Sequence, residues 1–531
     1  MLVGPRFHMS TLDAIRGKLS DPGFTPGRRD VGPMLELLAV ADEDVATKVV
    51  RALSGVAVAV ERAEKEWAGA SPPLRHRLVA LVARGRGDAG GPTLLVALRD
   101  ADPRTRKAAA RGLGRLEGPS RTEAGAALRD VVAREARPEV TRAIVEALGK
   151  IGSAGDDAAI DRVEGDASTS RVQREAKRRI ERTASRSTPS RIAAERVLES
   201  PFAVELRCRE GLESILASEL HESAGQGGGI SIDHAGRVLM QARSLRELTV
   251  ARTWSTVALT IYRGIDVHDA DLGSLIASAA PLLRSLTEGI VRWRVEWVGA
   301  GHRRAATGEL GDRVAALAPD LVNDPVASDW EVEITRERGK LHIAAVPKSW
   351  DDARFSYRVA DVPAASHPTL AAAIARAGGA KNDDVVWDPF VGSGLELVER
   401  ARMGPYRSLL GTDTDERALV AARKNANAAR VRDVHFEIAD ARTFRPRAVT
   451  LVLTNPPMGR RVQASPRLDE MLASAIANIS SVLLPQGRFA WITPNARATN
   501  RVLEKARMKR TLDLVVDMRG FAANLQCWTR L

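Results

Sequence analysis

Apolar positions change their period along the chain. Over the first 190 residues they recur every three to four positions. Val45, Val49, Leu53 and Val56 share one helical face, and Val140, Ile144, Leu148 and Ile151 share another, with Ala147 beside it. The phrases Asp-Pro-Arg-Thr-Arg-Lys-Ala-Ala-Ala-Arg-Gly-Leu-Gly (102–114) and Arg-Pro-Glu-Val-Thr-Arg-Ala-Ile-Val-Glu-Ala-Leu-Gly (137–149) repeat the pattern about 35 residues apart. Similar helices begin near Pro73 and Ser170, so this region predicts an α-solenoid of about four or five helix pairs. Past residue 200 alternation sets in. Phe202-Ala-Val-Glu-Leu-Arg reads as a strand, and Glu210–Leu220 as a helix with Leu212, Ile215, Leu216 and Leu220 on one face. Val291, Trp293, Val295 and Trp297 read as one face of a strand, which makes the tryptophans core rather than stacking surfaces. From residue 385 short apolar runs each end in a polar residue: Val385–Trp387 in Asp388, Ser408–Gly411 in Asp413, Val434–Ile438 in Asp440, and Leu451–Leu453 in Thr454 and Asn455. Helical stretches separate them, which is the doubly wound α/β pattern, with a ligand bound along the carboxyl ends of the strands. Gly487–Thr493 reads as a fifth strand, and Leu512–Met518 with Leu525–Leu531 as a closing hairpin. The fold class expected is therefore multidomain: an N-terminal α-solenoid, a central α+β domain and a C-terminal α/β Rossmann-like domain.

The chemistry concentrates in that last domain. Asp-Pro-Phe-Val-Gly-Ser-Gly (388–394) follows the first strand, and Gly392 and Gly394 let a ligand approach the backbone at a helix N-terminus. Leu397 stands where a dinucleotide fingerprint wants Gly or Ala, and no Gly-Lys-Ser/Thr ending suggests a triphosphate loop. Asp413, at the second strand tip, is placed to accept two ribose hydroxyls, and Asp440, at the third, to accept an adenine amino group. Asn455-Pro-Pro-Met458 ends the fourth. An exocyclic base amine is conjugated and nearly planar, so it becomes nucleophilic only when hydrogen-bond acceptors draw its N–H groups out of the ring plane. The Asn455 amide oxygen and the Pro456 carbonyl can supply two such acceptors, and Pro456 with Pro457 holds the backbone extended.

Asp-Pro-Phe-x-Gly-Ser-Gly, Gly-x-Asp-x-Asp and Thr-Asn-Pro-Pro-x-Gly resemble, over about residues 354–531, the motifs of class I S-adenosylmethionine-dependent methyltransferases acting on exocyclic nucleobase amines. The resemblance implies S-adenosyl-L-methionine as cofactor. By it, Asp388, Pro389, Gly392 and Gly394 line the methionine part, Asp413 takes the ribose, Asp440 the adenine, and Asn455, Pro456, Pro457 and Met458 form the amine site. Met458 departs from the family's Tyr or Phe, although its polarizable sulfur can pack on a base, and Leu395 departs from the usual Thr. Upstream, the order of Glu210-Gly-Leu-Glu, Ala251-Arg-Thr253, Gly301-His-Arg-Arg304 and Leu321-Val-Asn-Asp-Pro325 resembles the THUMP-containing half of RNA guanine-N2 methyltransferases. That family presents a flipped base from a THUMP-held RNA. The N-terminal repeats resemble HEAT repeats.

Charge and composition sharpen the partner. The 531 residues carry a formal net charge of +12, and eight basic residues against two acidic ones fall in 171–191. Such a balance, with a pI of about 10.1, favours a polyanion. Arg303 and Arg304 are candidate phosphate contacts. Cys208 and Cys527 alone imply no disulfide framework and suit a reducing cytosol, and Met1–Leu19 has no apolar core long enough for a signal peptide or membrane span. The histidines have no partners at metal-ligand spacing, so no metal is expected. The partition expected is 1–30 extension, 31–184 HEAT-like repeats, 185–200 linker, 201–350 THUMP-like RNA-binding domain and 351–531 methyltransferase domain. These readings make the chain a cytoplasmic RNA methyltransferase acting on guanosine N2, in tRNA rather than ribosomal RNA. A protein partner or extra RNA contact is expected on the repeats. The alternatives are a 23S rRNA guanine-N2 enzyme, an N6-adenine methyltransferase, and, from another class, a non-catalytic RNA-binding or assembly protein.

Overall fold

The N-terminal helices begin where the sequence provides an acceptor or a proline. Asp42, Asp102 and Asp166 each accept an amide in the first turn of the helix they precede, from Val45, Thr105 and Thr169. Proline occupies the first or second position of five helices, one of them the helix that Asp102 caps, where its missing N–H is harmless. The helices are α1 (Met9–Lys18), α2 (Val31–Val40), α3 (Glu43–Leu53), α4 (Ala57–Glu66), α5 (Pro72–Gly85), α6 (Gly91–Ala97), α7 (Pro103–Leu113), α8 (Gly118–Val132), α9 (Pro138–Ile151), α10 (Asp157–Asp161) and α11 (Ala167–Arg186). Helices α3, α5, α7, α9 and α11 stack in succession as one layer. Small residues set the spacing: a Cβ on Gly112 would meet the Ala83 Cβ at 2.6 Å, and one on Gly149 the Ala176 Cα at 2.6 Å. Val140, Ile144 and Leu148 are fully buried, whereas Val56 lies past α3 and is half-buried. Ion pairs tie neighbouring repeats together, among them Arg75–Asp100 and Arg106–Glu135.

The computed structural model describes residues 9–531 apart from 22, 225–228, 234, 267–270, 300, 302, 364 and 459–465. It falls into two units, Met1–Thr188 and Pro189–Leu531. One boundary expectation changes. Within 1–30, α1 buries Ile15 in the repeat core with Leu12, Leu19 and Phe24 against it, so a helix of the array replaces a bare extension. Residues 185–200, expected as a linker, contain the boundary between the two units, and within them α11 runs to Arg186 and Ser190–Ile192 pairs antiparallel with Thr287–Gly289.

The second unit holds β1 (Ser190–Ile192), β2 (Phe202–Arg207), β3 (Ser231–Asp233), β4 (Arg237–Ala242), β5 (Thr256–Asp266), β6 (Thr287–Gly289), β7 (Val291–Trp297), β8 (Leu321–Asn323), β9 (Trp330–Glu337) and β10 (Lys340–Pro347). There follow β11 (Val385–Asp388), β12 (Ser408–Asp413), β13 (Val434–Ile438), β14 (Val449–Thr454), β15 (Leu483–Thr493), β16 (Met508–Asp517) and β17 (Ala522–Arg530). In the first group β1 pairs with β6, and the other eight strands form a mixed sheet, β3-β4-β2-β5-β10-β9-β7-β8, whose core contains Trp293 and Trp330. The second forms a seven-stranded sheet, β13-β12-β11-β14-β15-β17-β16, parallel except for β17. The chain order reverses between β11 and β14, which opens a crevice at their carboxyl ends. This multidomain architecture of helical repeats and an α/β domain agrees with the fold class expected. The two sheets are locked together at buried contacts. Arg252 donates to Glu399 at 2.6 and 3.0 Å, and the Tyr357 hydroxyl donates to the same carboxylate at 2.5 Å. The Asp517 amide donates to the Glu210 carbonyl at 2.9 Å beside Gly211, whose φ of +95° and lack of a side chain admit the Val515 carbonyl.

Candidate active site

Strand β11 delivers Asp388 to the crevice, and the chain then turns through Gly392 (φ +49°) and Gly394 (φ +80°) into the helix Leu395–Arg402. Both glycines sit in left-handed conformations that other residues adopt only at a cost, and a Cβ at Gly394 would press on Ala422 at 3.0 Å. The turn is tied to the next strand. The Val391 amide donates to the Thr412 carbonyl at 2.9 Å, and the Gly392 amide donates to Asp413 Oδ2 at 3.0 Å. Asp413 Oδ1 accepts the Asp415 amide at 3.0 Å. A carboxylate offers about four lone-pair sites, so Asp413 retains capacity for two hydroxyls. Asp440 binds Arg442, whose hydrogen bond is the main reason its carboxyl is held below the usual range.

Asn455 stands at the end of β14 with its amide orientation fixed. Its Nδ2 donates to Ser366 Oγ at 2.8 Å, and the Ser366 hydroxyl donates to Glu396. Its Oδ1 is buried and has no partner, an acceptor left open in the crevice. Thr454 beside it donates to Asp388 Oδ1 at 2.6 Å, as does the Phe390 amide at 3.1 Å. Asp388 Oδ2 is buried without a partner.

A cavity of about 570 Å3 opens between these elements, lined by Pro389, Gly392, Asp413, Asp440, Asn455, Pro456, Pro457 and Met458 among others. Asp388 and Gly394 are not on its wall. Asp388 is fully buried behind it, and Gly394 caps the helix that follows. Met458 and Met471 supply apolar wall near Asn455. Ser366 and Glu396 also line the cavity, and neither stood out in the sequence. Glu396 does lie directly after the glycine turn, a position from which a first-turn side chain faces the ligand crevice.

Electrostatics discriminate between ligands. Burial pushes the Glu396 carboxyl up to about 7. Burial, reinforced by the Glu396 charge, raises Asp388 well above the carboxylate range. The cavity's guanidinium groups, Arg417 and Arg442, are already engaged by Asp415 and Asp440. Asp388 and Glu396 have no cation among the influences on their carboxyls, so the buried end of the site gives a phosphate no partner, while a ligand bearing positive charge favours their ionised forms. S-adenosylmethionine, with a sulfonium and an ammonium, fits this donor set and the room left at Gly392. Asp413 would hold its ribose, Asp440 its adenine, and the Asp388 side its methionine part.

The expected RNA contacts lie elsewhere. Arg303 is exposed with its guanidinium 5.5 Å from the Trp297 ring centroid, and the Arg304 side chain lies outside the described residues. Among the described residues no helix is long and apolar enough to cross a membrane. The basic run 171–191 is partly neutralised, since Lys177 pairs with Asp161 and Arg179 with Glu175.

Residues 356–521 match the RMKL-like methyltransferase domain, and residues 60–149 and 91–180 match HEAT repeats. The chain is similar to a tRNA (guanine(6)-N2)-methyltransferase of Thermus thermophilus, 28% identical over 311 residues that make up 56% of this chain and 91% of the relative. It is 30% identical over 145 residues, 27% of this chain, to 39% of a tRNA (guanine(10)-N2)-dimethyltransferase of Methanothermobacter thermautotrophicus. The crystal structure of TrmN from Thermus thermophilus superposes with a TM-score of 0.52 at 25% identity, covering 62% of this chain and 100% of that one. The crevice, its open acceptors and these likenesses agree: the chain carries an RMKL-like methyltransferase domain behind HEAT repeats, and it is an S-adenosylmethionine-dependent methyltransferase.

Proposed function

We propose that the chain methylates the exocyclic N2 of a guanosine in RNA, and that the RNA is a tRNA. The observation that carries this reading is the buried, unpartnered Oδ1 of Asn455, aimed by the Ser366–Glu396 pair into a cavity that favours a cationic cofactor. The relatives named as tRNA guanine-N2 methyltransferases support the base and the RNA class.

The bound cofactor supplies an electrophilic methyl group on a sulfonium. Asn455 Oδ1 and the Pro456 carbonyl accept the two N–H bonds of the guanine amine, which localises the nitrogen lone pair and aims it. Pro456 and Pro457 fix the backbone that carries these acceptors. Holding the amine in line supplies much of the rate; as the N–C bond forms the methyl–sulfur bond breaks, S-adenosylhomocysteine leaves, and the surplus N–H proton of the strongly acidic methylated amine passes to water, so no strong base is required. Met458 packs on the face of the flipped base through its sulfur and methyl. Asp413 and Asp440 fix the nucleoside end of the cofactor. Asp388 and the glycine turn at Gly392 and Gly394 shape the methionine end, with Pro389 on the wall. Residues 201–350 act as a THUMP-like RNA-holding domain, with Arg303 and Arg304 as phosphate contacts, and the enzyme works in the cytoplasm.

The test is the Asn455→Ala protein. Transfer of labelled methyl to tRNA is expected to fall at least 100-fold while calorimetric binding of S-adenosylmethionine stays within about threefold, because the acceptor serves the amine and not the cofactor. Unchanged transfer would remove Asn455 from the chemistry and the reading with it.

A further inference from the structure

The HEAT repeats carry a second cavity, a groove of about 630 Å3 whose walls are the successive inner helices α3, α5 and α7. Seven cations line it, Arg77 and six others: Arg51, Arg84, Arg104, Lys107, Arg111 and Arg115. The last four follow one another at helical spacing, so they form a single stripe along α7 and its end. Among the described residues Arg51, Arg84, Arg104, Lys107 and Arg115 make no ion pair, and Arg111 acts on a carboxylate only through its field at Glu146. The one carboxylate on the wall, Glu43, is already taken by Arg77 at 3.3 Å.

Other cations of the repeats are paired. Several other arginines of the repeats are matched by acids from neighbouring helices or turns, as in Arg75–Asp100, Arg86–Glu64 and Arg106–Glu135. Gathering like charges in a concavity destabilises the fold by mutual repulsion, so the unmatched set needs an anionic occupant to explain it. The floor is Ala46, Ala80, Ala83, Ala108 and Gly112, small residues that keep the wall smooth. No Phe, Tyr or Trp lines the groove and His76 is its single ring, so it offers no run of stacking platforms for bases and no large apolar anchor for a peptide. Guanidinium groups grip phosphate oxygens bidentately. We propose that this groove takes the sugar–phosphate backbone of the RNA substrate, without reading its sequence. That the anion is RNA rests on the function proposed above.

Fluorescence anisotropy of the full-length protein with bulk tRNA, over a salt series, tests the groove. The triple variant Arg104→Gln, Lys107→Gln, Arg111→Gln exchanges half-buried or exposed side chains and is expected to melt like the natural protein. Its Kd for tRNA should rise at least tenfold at about 0.15 M salt, and its log–log salt slope should flatten by about two. Its kcat at saturating tRNA should stay within twofold. An unchanged Kd and slope would overturn the proposal, as would poly-L-glutamate displacing tRNA at equal charge. Loss of affinity in the triple variant of a protein that methylated no RNA would uphold the groove and refute the catalytic reading. Guanosine methylation with undiminished affinity in the variant would do the reverse.

Discussion

At the residue scale the proposed chemistry depends on one amide held one way round. Were Asn455 flipped, a donor would face the amine and repel its hydrogens. Ser366 prevents this because its hydroxyl, committed to Glu396, can only accept from Nδ2. Ser366→Ala is expected to lower kcat about tenfold, the worth of one hydrogen bond, with cofactor affinity unchanged. Single-turnover kinetics beside calorimetry would show it. The raised carboxyls make a second prediction. Glu396 titrates near 4.5 when unfolded and near 7 in place. Its contribution to stability is thus complete below pH 4.5 and lost as pH rises through 7. Glu396→Gln should therefore raise the urea midpoint at pH 8, by up to about 3 kcal/mol in stability, and leave it unchanged at pH 4. A cationic ligand favours the ionised carboxylates, so affinity for S-adenosylmethionine should climb as pH rises to about 7 and then level off. The slope should be steeper than for S-adenosylhomocysteine, which lacks the sulfonium charge; equal slopes in isothermal titration would contradict the assignment of charge to this cavity. The positions of the Asp-Pro-Phe, Asp413, Asp440 and Asn-Pro-Pro residues at or just past strand ends are legible in the sequence because each motif is contiguous with its strand. Ser366 and Glu396 were not. Their partners lie 89 and 30 residues away, and only folding makes the relay.

At the element scale, the catalytic sheet is positioned by a few buried contacts with the central sheet. Glu399 is 1% exposed and Arg252 17%, and burial makes their pairing decisive. Arg252→Ala leaves a carboxylate buried beside Tyr357 and is expected to cost about 3–5 kcal/mol, measured as a lower urea midpoint. Gly211→Ala forces a Cβ onto the Val515 carbonyl in a left-handed backbone and should destabilise the same junction. Strand and helix periods revealed most elements in advance. The short strand within 185–200 was not legible because the Ser-rich composition there argues for a loop, whereas pairing with Thr287–Gly289 decides the outcome. Local propensity carries no information about a strand partner about 100 residues away.

At the scale of the whole molecule, the repeats need nothing beyond themselves for their core. Every residue of their hydrophobic cluster lies between Leu12 and Ile180. Residues 1–188 expressed alone should therefore fold, with helical circular dichroism and one cooperative melt; a non-cooperative melt would show that the rest of the chain is required. The total charge announced a polyanionic partner, but not where it sits. The contiguous basic run at 171–191 drew attention in the sequence, and its acids in fact lie alongside it. The unpaired cations come from three helices whose residues meet only in the stacked array.

The central claim is methyl transfer to the amine of a guanosine. Incubating the protein with bulk tRNA, ribosomal RNA and labelled S-adenosylmethionine, then separating the digested nucleosides, tests it most directly. Label in N2-methylguanosine from tRNA, absent with Asn455→Ala, is the result predicted. Label in N6-methyladenosine would contradict the base assigned here, and no label in any nucleoside despite cofactor binding would contradict the enzyme itself.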